Sequence, residues 1–209
     1  MGFNLNNFKS NISGYGYLKP HAFEVALSIP PILQNKKLES YDGTEKSLFN
    51  VTNDILRYRI DQVKIPGVSL LSAEVQRFGF GPTQKIPFNS YYHDTTFSIL
   101  LDKKADLLHF WYDWMRTIFE FNGSESGIRI PKYVSKYKSE YTSTMQIFLY
   151  DQVGNIVKKI NLYEAFPSSL LEMPLAWNDK GDLIRLATSI TYSQFTIEGG
   201  GLKDPLVTY

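Results

Sequence analysis

Between Asp94 and Phe121 the spacing of apolar residues changes once, and that change constrains how the rest of the chain can pack. Up to Leu101 the residues alternate, Phe97, Ile99 and Leu101 on one parity and Thr96 and Ser98 on the other, which is the period of a half-buried strand. From Asp102 the period lengthens. Leu107, Leu108, Trp111, Trp114, Met115, Ile118 and Phe119 fall at helical spacing, with Asp106, Asp113, Arg116 and Glu120 on the other side. A strand therefore runs directly into an amphipathic helix over about residues 103–121, capped by Asp102 and ended by Asn122-Gly123. The stripe reads as a cover for one side of a β core rather than as a cofactor site for its tryptophans.

The remaining apolar pattern is that of strands. His21–Ile29 alternates and stops at Pro30-Pro31, where the chain has no ladder donor to offer. Ile55–Ile65 changes phase near Asp61 and Gln62, which predicts a bulge. Two extended stretches, Ser69–Phe80 and Gln84–Phe88, flank the turn punctuation of Gly79, Gly81 and Pro82. Tyr141–Asp151 and Asn155–Tyr163, joined through Val153-Gly154-Asn155, predict a β-hairpin. In the last run, Asp182–Glu198, the apolar positions are first even (Ile184, Leu186, Ile190, Tyr192) and then odd (Phe195, Ile197), so the strand must bulge or twist to bury both sets. Between these lie an Asn- and Ser-rich arm (1–20), a long polar loop (31–54), a polar excursion (122–137) and a tail (199–209). The expected fold is mainly β, an antiparallel β-sandwich or small barrel with one flanking α-helix, in a single domain of residues 1–209.

The residue types exclude more functions than they suggest. A formal net charge of +1 over 209 residues gives no basic groove for nucleic acid and no polybasic membrane patch. With no cysteine there is no disulfide framework, thiol nucleophile or cysteine-held metal. No apolar run reaches the roughly 18 residues of a membrane span, and the start MGFNLNNFKSNIS lacks the order of a signal peptide, so the chain is expected to be made and kept in the cytoplasm. His21, His93 and His109 are isolated, and no GxSxG or HExxH is present. GFGP has no GKS or GKT sequel and is no phosphate loop. Carboxylate pairs such as Asp94 with Asp102, or Glu164 with Glu172, can meet across strands, and an aromatic share of 15% suits either a sugar platform or a protein interface. A carbohydrate-binding or carbohydrate-active protein is thus the alternative from another class. No catalytic, cofactor-binding or metal-ligating residue is nominated.

Taken in order, the segments resemble the tail tube proteins of contractile-tailed bacteriophages. The start NFKSNISGYGYLKPHAFEVALSI is similar to that family's short arm and first strand, with Pro20, Phe23 and Val25 in a Pro-x-x-Phe-x-Val element. RIDQVKIPGVSL followed by KIPFNSYYHDTTFSILLDKKADLLHFWYDWM resembles its strand ending in Pro66, the Lys85-Ile86-Pro87 element, the alternating strand and the helix bearing Trp111 and Trp114. YKSEYTSTMQIFLYDQVGNIVKKINLYEAFPSSL and the run after it resemble its closing hairpin, with Ala165-Phe166-Pro167 as the turn into the final strand.

The resemblance spans most of residues 8–198 and implies a non-enzymatic structural subunit without a cofactor. It implies hexameric rings, stacked into a tube around a DNA channel, whose strands join in an inner barrel. Tail sheath, baseplate and tape-measure proteins are the implied partners, in a virion tail assembled in the host cytoplasm. DNA would pass without sequence-specific binding, and no membrane is involved. The polar loop and tail depart from the pattern and leave a tube-initiating or tube-ending protein of the baseplate or neck as the alternative. In a stacked tube, residues 36–45 and 203–209 are expected to be mobile in the free subunit and ordered by neighbouring rings or by the surrounding sheath. The polar parity of Thr96, Ser98, Thr188, Gln194 and Thr196 is the face expected to meet water.

Overall fold

A computed structural model describes residues 18, 20–39, 43, 45–48, 51, 56–76, 79, 81–119, 135–175 and 183–199. Two antiparallel layers share one strand. The first has the order β1 (Phe23–Leu27), β8 (Ser143–Tyr150), β9 (Ile156–Leu170) and β11 (Gln194–Glu198). The second runs β9, β10 (Arg185–Thr191), β7 (Thr95–Leu100) and β4 (Ile60–Val63). Alternate residues of both layers, among them Val25, Met145, Ile147, Ile160 and Leu162 from one and Phe97, Ile99, Leu186 and Ile190 from the other, meet in one buried cluster. The sheet does not close into a barrel among the described residues.

The long strand β9 crosses between layers at Glu164, whose φ of 52° lies in the left-handed region. Before the crossing the even residues Ile160 and Leu162 point inward; after it Ala165 does, so one left-handed residue flips the pleat. The opposing strand breaks at the same level, between β10 and β11, and Ser193 N donates to Tyr163 O across the gap at 3.1 Å. This is the break that the parity change after Tyr192 predicts. Ile184 and Ile197 nevertheless stay half-exposed, at 47% and 56%. The Glu164 carboxylate accepts from Lys138 Nζ and Ser193 Oγ, each at 2.5 Å, and these donors hold it below the usual carboxylate range. Ala165-Phe166-Pro167, expected as a turn, lies inside β9, because the corner at Glu164 does the bending.

The flanking helix, α2 (Asp106–Ile118), follows the one-turn α1 (Arg57–Arg59) in the chain and precedes the short α3 (Lys138–Tyr141). It is shorter than its stripe. Ala105, at φ 55°, is its N-terminal boundary, and Asp102 acts from outside by accepting from Leu107 N at 3.3 Å. At the other end Phe119 turns extended, well before Asn122-Gly123, and bridges Ser135. Leu107, Phe110, Trp111 and Trp114 are buried as the period demands. Asp106 is buried as well, against its expected place on the wet side, and Phe119 is 38% exposed.

Within 31–54, expected as one polar loop, the described residues form a 3-10 turn (Pro31–Leu33) and a small ladder of β2 (Lys37–Glu39) with β3 (Glu45–Ser47). Leu33, Leu48 and Val51 drop into the core. The arm (1–20) and tail (199–209) lie almost wholly outside the described residues, as does most of the 122–137 excursion.

Candidate assembly surface

The second layer does not end at its rim. Past Lys64-Ile65-Pro66, β4 continues as β5 (Gly67–Val75), and β7 is preceded across Asp94 by β6 (Gln84–His93). Among the described residues β5 and β6 pair only with each other, a two-stranded ribbon standing off the sandwich. Local chemistry explains its form. Gly79 and Gly81 take φ values of 75° and 96° at the tip, which a side chain resists. Gln76 Nε2 donates to Thr83 Oγ1 at 2.9 Å just below them. A register shift between Leu71 and Ser72, opposite Pro87, bulges the ribbon at its middle.

The ribbon exposes a series of apolar side chains. Leu70 is 70% exposed and Phe88 68%, and Val68, Leu71, Val75, Ile86 and Tyr91 are each exposed by about half. On β5, Leu70 and Leu71 point to opposite sides of the pleat, so both faces are bare. An isolated two-stranded ribbon is marginal in water, and an apolar one invites pairing with other chains. Its base is the exception. Tyr92 and Phe195 meet edge-on at a centroid distance of 5.7 Å, and Tyr192 stands 6.1 Å from Phe195 and 6.3 Å from Tyr92. Tyr192 is 6% exposed and its hydroxyl donates to His93 O at 2.6 Å.

The outward side of the second layer is polar. Thr96, Ser98, Ala187, Ser189 and Thr191 are half-buried along β7 and β10, and Arg185 Nε donates to Asp61 Oδ2 at 2.7 Å beside them. Thr188 does not belong to this face: it is fully buried and donates to Ser169 O at 3.1 Å, because on β10 the even parity points inward.

The residues weighed for chemistry do not converge. His93 Nε2 pairs with Ser69 Oγ at 2.6 Å, His109 with Asp113 at 2.9 Å one helical turn on, and His21 lies apart. Asp94 and Asp102 flank opposite ends of β7, while Glu164 is engaged by Lys138. Among the described residues no cluster of metal-ligating side chains forms, and no helix is long and apolar enough to cross a membrane.

Three tyrosines at the ribbon escape sequence reasoning. Tyr91 and Tyr92 extend β6 beyond its expected end at Phe88, and Tyr192 reads as one more apolar strand position although it anchors the ribbon. Alternation carries no signal for any of them, since it is the same whether the partner is the same chain or another.

Comparison with known proteins gives the arrangement its context. Residues 18–198 match the phage tail tube protein family. A chain of the extended sheath–tube complex of the PVC extracellular contractile injection system superposes with a TM-score of 0.55 at 14% identity, over 95% of this chain and 100% of that one. A chain of the anti-feeding prophage baseplate gives 0.54 at 9% identity, over 88% and 96%. The tube-terminating cap of the same prophage gives 0.54 at 13%, over 88% and 92%. No curated protein matches the sequence.

Proposed function

Because the chain belongs to the phage tail tube protein family, we propose that it is the repeating subunit of a tail tube, closing into hexameric rings that stack around a channel for DNA. The ribbon β5–β6 carries the proposal. Its bare apolar faces are unstable in water and ask for neighbours on both sides, as a subunit in a stacked ring supplies. Each half-exposed Leu, Ile or Phe that a neighbour covers contributes about 1 kcal/mol.

Ring closure has a route in the topology. The second layer ends in β4 on one side and the 166–170 half of β9 on the other, and its strands alternate in direction. The edge of one copy therefore meets the opposite edge of the next in antiparallel sense, a head-to-tail contact that closes a ring and hides the edges. The hydroxyl-bearing face of β7 and β10 then lines the channel, where small neutral side chains hold no phosphates. Sheath and baseplate proteins are the partners on the outside, and the chain needs no cofactor and performs no catalysis.

Electron microscopy of the purified protein tests the assignment. Open-ended tubes of stacked rings are expected. Single rings that do not stack would make it a tube initiator or terminator, and a persistent monomer that binds glycans would overturn the proposal. Replacing Leu70 and Phe88 with serine is expected to abolish tubes and leave the subunit's unfolding midpoint unchanged, since both residues are exposed within it.

A further inference from the structure

We infer that Tyr192 is a positioning residue for assembly: its hydroxyl, with the Tyr92 and Phe195 rings around it, latches the base of the ribbon and fixes the direction in which the ribbon leaves the sandwich. The inference rests on the ribbon's being an assembly element. It concerns a residue that is buried inside the subunit, at 6% exposure.

The ribbon joins the sandwich through two interrupted strands. One break is Lys64-Ile65-Pro66 between β4 and β5, and the other is Asp94 between β6 and β7. Lys64 N still donates to Thr96 O at 3.1 Å on the sandwich side, but between that bond and the Gly67–His93 pair the ladder is interrupted on both strands, which leaves the ribbon's angle partly to side chains. Side chains bridge the breaks. Thr95 Oγ1 donates to Lys64 O across the first. Tyr192 donates to His93 O at 2.6 Å beside the second.

Tyr192 is suited to this because it sits in the break between β10 and β11, where the pleat switches parity and the side chain is free of ladder geometry. Its ring packs against both Tyr92 of the ribbon and Phe195 of β11, which also meet each other at 5.7 Å, so this three-ring contact ties the ribbon to the layer shared through β9. Inside the ribbon, Ser69 and Tyr91 hold the His93 imidazole, the first by a hydrogen bond at 2.6 Å and the second edge-on at 5.0 Å. His93 is therefore fixed within the ribbon through its ring and to the sandwich through its carbonyl. A ribbon with one direction meets its neighbours without an orientational search. A loosened one loses that pre-organisation.

Tyr192→Phe removes the donor and keeps the aromatic packing. Hydrogen exchange on the isolated subunit is expected to show amides of residues 67–69 and 92–95 opening roughly two- to tenfold faster, the factor that a hydrogen bond of ordinary net strength carries. The concentration needed for tube assembly is expected to rise by a similar factor. Tyr163→Phe is the control: that hydroxyl pairs with Thr196 of β11 at 3.2 Å and not with the ribbon, and its loss is expected to leave both readouts alone. Exchange at the ribbon base unchanged by Tyr192→Phe, or raised equally across both layers, would overturn the latch. The exchange arm needs no assembly, so if the unaltered protein forms no tubes, the assembly proposal fails while the latch is still decided.

Discussion

Trp111 and Trp114 lie on the same face of α2, both fully buried, with ring centroids 5.5 Å apart and planes within 21°, yet they should respond oppositely to the same substitution. Trp114 Nε1 donates to Tyr141 O at 2.9 Å, whereas among the described residues no acceptor reaches Trp111 Nε1. Substituting phenylalanine removes comparable ring volume at each site, at a cost of about 1–2 kcal/mol in lost transfer energy and residual cavity. At position 114 the change also breaks a made hydrogen bond and leaves a carbonyl without its donor, a further 1–3 kcal/mol or so. At position 111 it removes a buried donor with nothing to bind, which returns about 1–3 kcal/mol. Trp111→Phe should therefore be near neutral and Trp114→Phe should cost roughly 2–5 kcal/mol. Alanine at either site should cost about 3–5 kcal/mol. Urea unfolding followed by far-ultraviolet circular dichroism measures this without relying on the altered fluorophore. Equal losses for the two phenylalanine variants would refute the hydrogen-bond argument, leaving burial alone to explain the helix.

Other outcomes follow from single residues. Burial, helped by the charge of Asp94 and by Tyr92, pushes the Tyr192 hydroxyl up to about 12, so folding favours its neutral form. Its contribution is complete below the unfolded value near 10 and is lost as pH rises from there to about 12; the loss is on the order of 2–3 kcal/mol, read as the difference in alkaline unfolding between the protein and Tyr192→Phe. Gly199 has φ 103° and an added Cβ would stand 2.6 Å from Val157 O, so Gly199→Ala should cost more than about 1 kcal/mol and speed hydrogen exchange in β11 above all other strands. Thr188→Val should destabilise by about 1–3 kcal/mol in chemical denaturation, since the buried hydroxyl donates to Ser169 O.

Local chemistry decided much of this molecule. The period change at Asp102 put a strand before a helix and brought Leu107, Trp111 and Trp114 to its inner face. The phase change near Asp61 marks the register shift between Ile60 and Gln62, and the one after Tyr192 marks the break between β10 and β11. Gly154 at φ 93°, with Asp151 accepting from Val153 N and Asn155 N, made the β8–β9 turn where the sequence puts it. These are effects within a few residues along the chain, which is the range over which sequence pattern and backbone sterics agree.

What the pattern left open was decided between distant residues. At the Glu164 corner of β9, Lys138 and Ser193, far apart in the chain, converge on the carboxylate, a meeting that no local pattern announces. Thr188 is inside and Ser189 outside because β10 is held between β7 and β9; the parity of a hydroxyl among apolar neighbours does not choose a side by itself. The ribbon is the clearest case. Val68, Leu70, Phe88 and Ile86 alternate as residues of a packed strand do, and that alternation was enough to make them strands. Their place was decided by packing: the sandwich core is filled by other side chains, which leaves these exposed on the ribbon.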